Sequence, residues 1–196
     1  MNPVNNNYTL TNTKTTFKIA AKELTEEDLE GLKITFVDQT FEYNANEKTI
    51  TVEGLPEGFT VTYDDNSRVY AGSQTVKAKV SGNTNYDGVI TKEATLTITP
   101  AKVTVTAVDK TSVYGRELVE LTSQVDGSIF GTDSLNINLS KEEGLDVGTY
   151  TITVSANNAN YEITTVKGTY TITKATYDMS NISFNDNSFT YDKTSK

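Results

Sequence analysis

The segment NANYEITTVKGTYTITKA, residues 158–175, decides the fold because apolar and polar side chains alternate along its second half. Tyr170 and Ile172 are separated and flanked by threonines, which is the two-residue period of a strand with one buried face. The same alternation recurs in TVKAKV (75–80), TLTITP (95–100), KVTVTA (102–107) and TYTITV (149–154). We therefore predict an all-β fold of half-buried, mainly antiparallel strands.

Parts of the same segment recur along the chain, which indicates an internal repeat. Tyr8, Tyr86 and Tyr161 each follow an asparagine and precede an alternating strand, at a period of roughly 75 residues. ITFVDQTFEY (34–43) and ISFNDNSFTY (182–191) share an isoleucine, two phenylalanines and a tyrosine at the same positions, and TAVDKTSVYG (106–115) is a looser version. Repetition at this period predicts tandem modules.

The repeat divides the chain into four predicted parts. Residues 1–21 would be the tail of a preceding repeat, 22–100 and 101–175 two complete β modules, and 176–196 the head of a following repeat. Each complete module is expected to be a small Ig-like β-sandwich with turn signals every 8–12 residues, within an elongated array. A β-grasp-like module is the alternative, favoured if ELVELTSQV (117–125) forms a helix across the sheet.

The best helix candidate is LTEEDLEGLK, residues 24–33. Thr25 suits an N-cap, acidic residues fill the first turn, and Gly31 suits the end of the helix. We expect a helix of one to two turns that connects neighbouring modules.

Composition excludes several classes of function. The formal net charge of −9 gives no attraction for phosphate backbones or anionic membrane surfaces, so we expect no nucleic-acid partner. No apolar run approaches the ~18 residues of a membrane-spanning helix, so we expect no membrane insertion. The absence of cysteine and histidine removes disulfides, thiolate chemistry and the commonest general base.

We predict no catalytic, cofactor-binding or metal site and therefore no enzyme and no cofactor. Four acidic clusters, TEEDLE (25–30), YDDN (63–66), SKEEG (140–144) and FNDN (184–187), lack the ligand spacing of a calcium-binding loop and suit solvated turns. The recurring tyrosines suit packing, with the hydroxyl holding a turn. Lys102 and Lys174 lie at module joins, a poor position for an intramolecular isopeptide bond.

Several motifs resemble known repeats of bacterial surface proteins. VYG, GTDSL, VGTYTITVSANNANYEI and GTYTITKA, all within residues 113–175, resemble the YGX-type module known as the MBG domain. EGLPEGFTVTYDDN (53–66) and YDMSNISFNDNSFTYD (177–192) resemble the YDG-like repeats that alternate in such proteins. The resemblance implies tandem β-rich modules in secreted, often wall-anchored adhesins or stalk proteins of Gram-positive bacteria, and it supplies no ligand.

These observations predict a stalk or spacer segment of an extracellular cell-surface adhesin, attached to the wall through other regions and projecting a distal binding region. One alternative is a module that itself binds a host glycan or protein, which an exposed aromatic patch in a single module would support. The other is an accessory repeat of a secreted enzyme. Through the full-length protein we expect a host or neighbouring-cell ligand, and the apolar residues in 5–22 and 177–196 predict head-to-tail self-association.

Overall fold

The computed structural model describes residues 17–183 together with 186, 188, 190, 191 and 193. The chain divides into two compact units, Met1–Ala101 and Lys102–Lys196. Most of the predicted tail and several residues of the predicted head lie outside the described residues, so the repeat boundaries stay predictions. Within the described residues, no helix has the length and hydropathy of a membrane-spanning segment.

The described part of the first unit contains one helix and six strands. They are β1 (Lys22–Glu23), α1 (Glu26–Gly31), β2 (Gln39–Glu42), β3 (Thr60–Asp64), β4 (Gly72–Ser81), β5 (Tyr86–Asp87) and β6 (Val89–Thr99). Four of them form a sheet in the order β2-β6-β4-β3, and β1 pairs with β5. The longest ladder joins β4 and β6 in antiparallel register, from Gly72 opposite Ile98 to Ser81 opposite Val89.

The described part of the second unit contains seven strands, the first of which begins at the boundary between the units. They are β7 (Ala101–Ala107), β8 (Lys110–Val113), β9 (Ser123–Asp126), β10 (Asn138–Lys141), β11 (Gly148–Ser155), β12 (Tyr161–Val166) and β13 (Gly168–Thr173). One sheet has the order β10-β11-β13-β8 and the other the order β12-β7-β9. The predicted all-β fold with sandwich-like sheets is confirmed.

The two four-stranded sheets have the same connectivity. In each, the first strand lies parallel to the last strand, as β2 does to β6 and β8 to β13. The last strand is antiparallel to the longer inner strand, β4 or β11, which is in turn antiparallel to β3 or β10. The condition for the β-grasp alternative is not met, because residues 117–122 are irregular and Ser123–Asp126 is a strand.

The predicted helix exists, but its predicted role as a connector is wrong. Thr25 is its N-cap and forms a capping box with Asp28, as the acidic first turn suggested. Leu29 is fully buried and packs with Leu24, Ile34, Phe59 and Val80 in a core cluster of the first unit. The helix therefore covers the core of one unit because its single apolar residue needs burial there.

Alternating strand residues build the remaining cores, as their period of two predicts. In the first unit, Val76, Ala78, Ala94 and Leu96 pack with Phe36 and Ile50. In the second unit, Ala107, Ile152, Tyr170 and Ile172 form a cluster. By contrast, Phe17 and Ile19 of the predicted tail and Tyr177 of the predicted head are almost fully exposed.

Candidate functional site

In both units the first and last strands of the four-stranded sheet form a parallel pair. In the first unit, β2 and β6 run in register from Gln39 opposite Leu96 to Glu42 opposite Thr99. In the second unit, β8 and β13 run from Lys110 opposite Tyr170 to Val113 opposite Thr173. We call these the terminal strand pairs, because each pairs the first strand of its four-stranded sheet in chain order with the last. The first strand, β2 or β8, is called the entry strand, and the last strand, β6 or β13, the exit strand.

An aspartate begins each terminal strand pair. The Asp38 Oδ1 atom accepts a hydrogen bond of 2.6 Å from the Thr95 backbone N–H. The Asp109 Oδ1 atom accepts one of 2.7 Å from the Thr169 backbone N–H. A carboxylate on a backbone N–H is a charge-assisted bond, and here it extends the ladder by one residue beyond the strand.

Two further contacts close the other end of each pair. The Tyr43 N–H donates to the Thr99 carbonyl over 2.9 Å, and the Tyr114 N–H donates to the Thr173 carbonyl over 2.8 Å. The hydroxyls of these two threonines also donate back across the pair, over 3.2 Å, to the carbonyls of Phe41 and Ser112 respectively. Each four-residue strand is therefore fixed at both ends by bonds additional to its ladder.

A second recurring contact precedes the last strands. The Asn83 Oδ1 atom accepts from the Asn85 N–H, and the Asn158 Oδ1 atom accepts from the Asn160 N–H, both over 2.9 Å. Their Nδ2 atoms donate across the unit to backbone carbonyls, of Glu57 over 3.3 Å and of Ser134 over 2.9 Å. These asparagines fix the turn that leads into β5 in the first unit and into β12 in the second, which suits the asparagine preference for such turns.

A parallel terminal pair responds to tension in a defined way. Tension applied across a terminal strand pair, at the start of β2 or β8 and at the end of β6 or β13, pulls the two strands in opposite directions along the strand axis. Because the strands are parallel, those two points lie at opposite ends of the ladder, so all its hydrogen bonds are sheared together. An antiparallel hairpin pulled from its open end instead loses its bonds one at a time. In the intact chain β1 and α1 precede β2, and β7 precedes β8, so these elements lie between the start of each unit and its pair.

Residues of three acidic clusters form hydrogen bonds or ion pairs within the first or second unit. Asp28 caps the helix, and hydrogen bonds from Lys22 and then Thr25 hold the pKa of its carboxyl below the ordinary value. Asp64 forms an ion pair with Lys79, and Glu142 accepts from the Thr151 N–H. Within the described residues, no group of three potential ligands could hold a metal ion. FNDN lies partly outside the described residues.

Of the recurring tyrosines, Tyr161 holds a turn through its hydroxyl, as predicted. The Tyr161 hydroxyl accepts from the Phe130 N–H over 2.8 Å and donates to Asp133 over 2.9 Å. Burial raises the pKa of this phenol above its ordinary value. Tyr86 packs against the core of the first unit beside Phe59, and Tyr8 lies outside the described residues.

The lysines considered for isopeptide bonds are exposed. Lys102 lies 3.9 Å from Glu162 in a solvated ion pair, and Lys174 is exposed after β13. Neither lies in a buried site beside an asparagine side chain, as an intramolecular isopeptide bond would need.

The sequence interpretation missed Asp38 and Asp109 as the start of the terminal strand pairs. A usable signal was present, because each aspartate stands five residues before the tyrosine that closes the same strand, Tyr43 or Tyr114. Asp186 stands at the same distance before Tyr191. An aspartate just before a strand is more often read as a solvated turn, which is why the pattern was not singled out.

Comparison with known proteins gives one family match. Residues 103–171, from the third residue of β7 to the fourth of β13, match the family described as MBG domain (YGX type). The matched range includes the second terminal strand pair apart from its last two residues. MBG domains are β-rich repeat domains found in surface proteins. No curated protein matches the chain.

Two solved structures have a weak likeness to the chain. Drosophila N-cadherin EC1-3 is 10% identical, with 69% of this chain and 64% of that chain covered and a TM-score of 0.28. Sidekick-1 immunoglobulin domains 1–4 are 8% identical, with 72% and 50% covered and a TM-score of 0.22. The chain thus spans less than two thirds of either structure, and scores this low support no argument about function.

Proposed function

We propose that this chain is a spacer segment of a bacterial cell-surface adhesin, whose units carry tension while they project a distal binding region from the wall. The observation that supports this function is the parallel terminal strand pair in each unit. A stalk that holds a ligand under flow is pulled from its two ends, and a load that reaches the β2–β6 or β8–β13 pair shears it.

The recurrence of the same contacts supports a tandem array. The aspartate at the start of the entry strand, the tyrosine N–H at its end and the asparagine turn occur in both units with nearly equal distances. Two units that share side-chain contacts as well as connectivity suit repeats of one module, and small repeated modules are the usual material of such rods. The extracellular, wall-attached context of a Gram-positive adhesin is part of this proposal, and it is supported by the match of residues 103–171 to a repeat domain found in surface proteins.

Constant-force pulling of the whole chain from its two ends tests the proposal. The expected result is two separate unfolding steps, because each unit has its own core and its own terminal strand pair. Each step should release about 3.3–3.6 Å for every residue unfolded, less the length that the folded unit already spans. Gradual extension without steps, as for a chain with no barrier, would contradict a tension-carrying role.

A matched pair of variants shows which unit unfolds in each step. Val76 and Ile152 are both fully buried, one in each unit. Val76→Ala should lower the unfolding force of one step and Ile152→Ala that of the other. A single variant that lowered both steps would show that the units do not resist tension separately.

A further inference from the structure

The two units differ in the strand that leads into the exit strand. In the first unit, β6 pairs with β4 along its whole length, from Val89 opposite Ser81 to Ile98 opposite Gly72, and the preceding strand β5 has two residues that pair with β1. In the second unit, the exit strand β13 pairs with β11 over five residues, and the preceding strand β12 lies beside β7 in the other sheet. The described part of the first unit therefore has no strand at the place of β12.

Residues 33–37 are the counterpart of the end of β7. They stand immediately before Asp38, as residues 104–108 stand immediately before Asp109, and the two aspartates accept the same kind of backbone hydrogen bond. All but the last of residues 104–108 belong to β7. The first unit thus has the segment that β12 would pair with but not β12 itself.

One edge of this segment is paired in both units and the other edge in only one. Thr35 forms an antiparallel bridge with Glu53, and at the corresponding position Thr106 of β7 pairs with Gln124 of β9. The opposite edge of β7 carries β12. Among the residues that the structure describes, no strand pairs with the opposite edge of residues 33–37.

An open groove of about 420 Å³ lies at this unpaired edge, lined by residues 33–37 together with Glu30 and Lys92. Lys92 belongs to β6, so the groove lies between residues 33–37 and the first half of the exit strand. Part of the lining is apolar, because the core residue Phe36 and the 57% exposed Val37 belong to it.

Both sides of the groove present backbone groups without a partner. On one side, neither the N–H nor the carbonyl of Phe36 bonds to another described residue. On the other side, the Thr95 N–H donates to Asp38 and therefore points away from β4. Backbone groups of an antiparallel strand point alternately to its two sides, so those of Thr91 and Glu93 also point away from β4, where no described strand pairs with them. Such unpaired edges bind an additional strand.

The second unit shows what kind of segment fits. There the place is filled by β12, an extended strand whose first and third side chains are buried or half-buried and whose Glu162 lies 3.9 Å from Lys102 of β7. In the groove of the first unit, Lys33 forms no ion pair with a described residue, whereas Lys92 is already paired with Glu26 over 2.7 Å. An acidic side chain on the bound segment would therefore find a cation at Lys33.

We propose that this groove binds an extended peptide segment of a partner protein, which adds as a strand between residues 33–37 and β6. The peptide backbone bonds to Phe36 on one side and to Thr91 and Glu93 on the other. Its apolar side chains alternate with polar ones, and an acidic side chain pairs with Lys33. This binding goes beyond the spacer function and does not depend on it, since the groove would be present in a unit that carries no tension.

Titration of the isotope-labelled full chain with acetyl-Tyr-Glu-Ile-Thr-Thr-Val-amide, which has the sequence of β12, tests the proposal by NMR. The expected result is a set of saturable shifts at Phe36, Thr91 and Glu93, whose amides should also exchange more slowly because they gain hydrogen bonds. The same peptide with lysine in place of glutamate should bind more weakly. No saturable shift at millimolar peptide, or shifts confined to other residues, would overturn the proposal.

N-methylated peptides separate strand addition from apolar contact alone. Methylation of the isoleucine nitrogen removes a donor from one edge of the peptide, and methylation of the following threonine nitrogen removes a donor from the other edge. Because both edges are bonded in the groove, each methylation should weaken binding roughly 2- to 12-fold, the effect of one hydrogen bond. Equal affinity of the methylated and unmethylated peptides would contradict recognition of the backbone.

A matched pair of variants locates the binding site. Val37 and Val89 are 57% and 58% exposed, so an aspartate at either position should leave the fold intact, but only Val37 lines the groove. Val37→Asp should weaken binding because it places a carboxylate against the apolar side of the groove and beside the acidic peptide. Val89→Asp should bind normally. An equal loss in both variants, or in neither, would overturn the assignment of the groove.

Hydrogen exchange of the chain without peptide distinguishes the other occupants. The amides of Thr91 and Glu93 should exchange fast at every protein concentration, because their edge is free. Protection that rises with concentration would assign the groove to a second copy of the chain. Protection at every concentration would assign it to another segment of the same chain. Either result would overturn the proposal of a partner peptide.

Discussion

The two units share their terminal strand pairs but differ in how they fill the space beside them. Opposite Ile98 the first unit places Phe41, and opposite Ile172 the second places Ser112. At the end of the entry strand, Tyr43 is 2% exposed whereas Tyr114 is 49% exposed. The ladder, with its aspartate and tyrosine contacts, is thus kept while the side chains beside it change. Backbone pairing defines this module more strictly than the packing next to it.

A second difference between the units conserves volume. Val76 lies opposite Ala94 in the first unit, and Ile152 lies opposite Gly168 at the corresponding place in the second. Isoleucine adds a methylene to valine, and glycine removes the methyl of alanine, so the summed volume of the pair is nearly unchanged. Cores tolerate such exchanges best because they leave neither a cavity nor a clash.

The largest expected effect comes from opening a cavity in one unit. Ile152 is fully buried, so Ile152→Ala should cost the second unit about 2–5 kcal/mol, whereas Ile152→Val should cost about 0.5–1.5 kcal/mol. Hydrogen exchange measured residue by residue reads this out. Amides of the second unit should exchange faster while those of β4 and β6 stay protected. Equal acceleration in both units would show that they do not unfold separately.

The second-largest loss of stability is expected from adding a methyl group to Gly168, which lies opposite Ile152. A Cβ atom on Gly168 would lie 2.6 Å from the Ala107 carbonyl oxygen and 3.0 Å from the Ala107 carbonyl carbon, which are backbone atoms that cannot move aside easily. Gly168→Ala should therefore destabilise the second unit by roughly 1–3 kcal/mol, the usual cost of overpacking. Chemical denaturation measures it. Combining Gly168→Ala with Ile152→Val does not relieve the clash with Ala107, so the double variant should be no more stable than Gly168→Ala alone.

Removing the aspartate contact should affect each unit by a similar, smaller amount. Asp38→Ala and Asp109→Ala each leave a strand N–H to water, because both aspartates are exposed. The expected loss is about 1 kcal/mol per unit, near the middle of the range for one hydrogen bond. Asp→Asn at the same positions keeps an acceptor and should lose less. A large effect in one unit and none in the other would contradict the equivalence of the two contacts.

The smallest expected effects are those of acid and alkaline pH on stability, and they differ between the two units. The pKa of Asp28 is lowered in the folded first unit, so that contribution to stability is present above about pH 4 and is lost as the pH falls through the lowered value. The pKa of Tyr161 is raised in the folded second unit, so its contribution is present below about pH 10 and is lost as the pH rises. Thermal melts at several pH values measure these effects. Asp28→Asn should remove the loss of stability at acid pH that comes from Asp28, and Tyr161→Phe should remove the loss at alkaline pH that comes from Tyr161.

The local features of this structure could be predicted from the sequence, and the long-range strand pairing could not. Alternation around Tyr170 and Ile172 predicted strands with a buried face, and Thr25 with its acidic first turn predicted the helix, because both signals are set by residues close in the chain. The parallel pairing of β2 with β6 joins residues more than fifty positions apart, and no local pattern specifies it. A cavity in the second unit lined by Ser112, Leu118 and Leu145 could not be predicted for the same reason, because it is formed by segments that are distant in the chain.

The direction of pulling tests the central claim most directly, and a chain without cysteine allows handles at any chosen pair of positions. One variant of the first unit carries cysteines at the exposed Val37 and at Pro100, so that tension shears the β2–β6 pair while the Asp38 contact is kept. The other carries them at Thr60 and Ser81, which face each other at one end of the antiparallel β3–β4 pair, so that tension opens that pair bond by bond. At equal loading rate, unfolding under force reports the barrier and not the equilibrium stability. The account predicts a clearly higher unfolding force for the first variant, and an equal or lower force would contradict it.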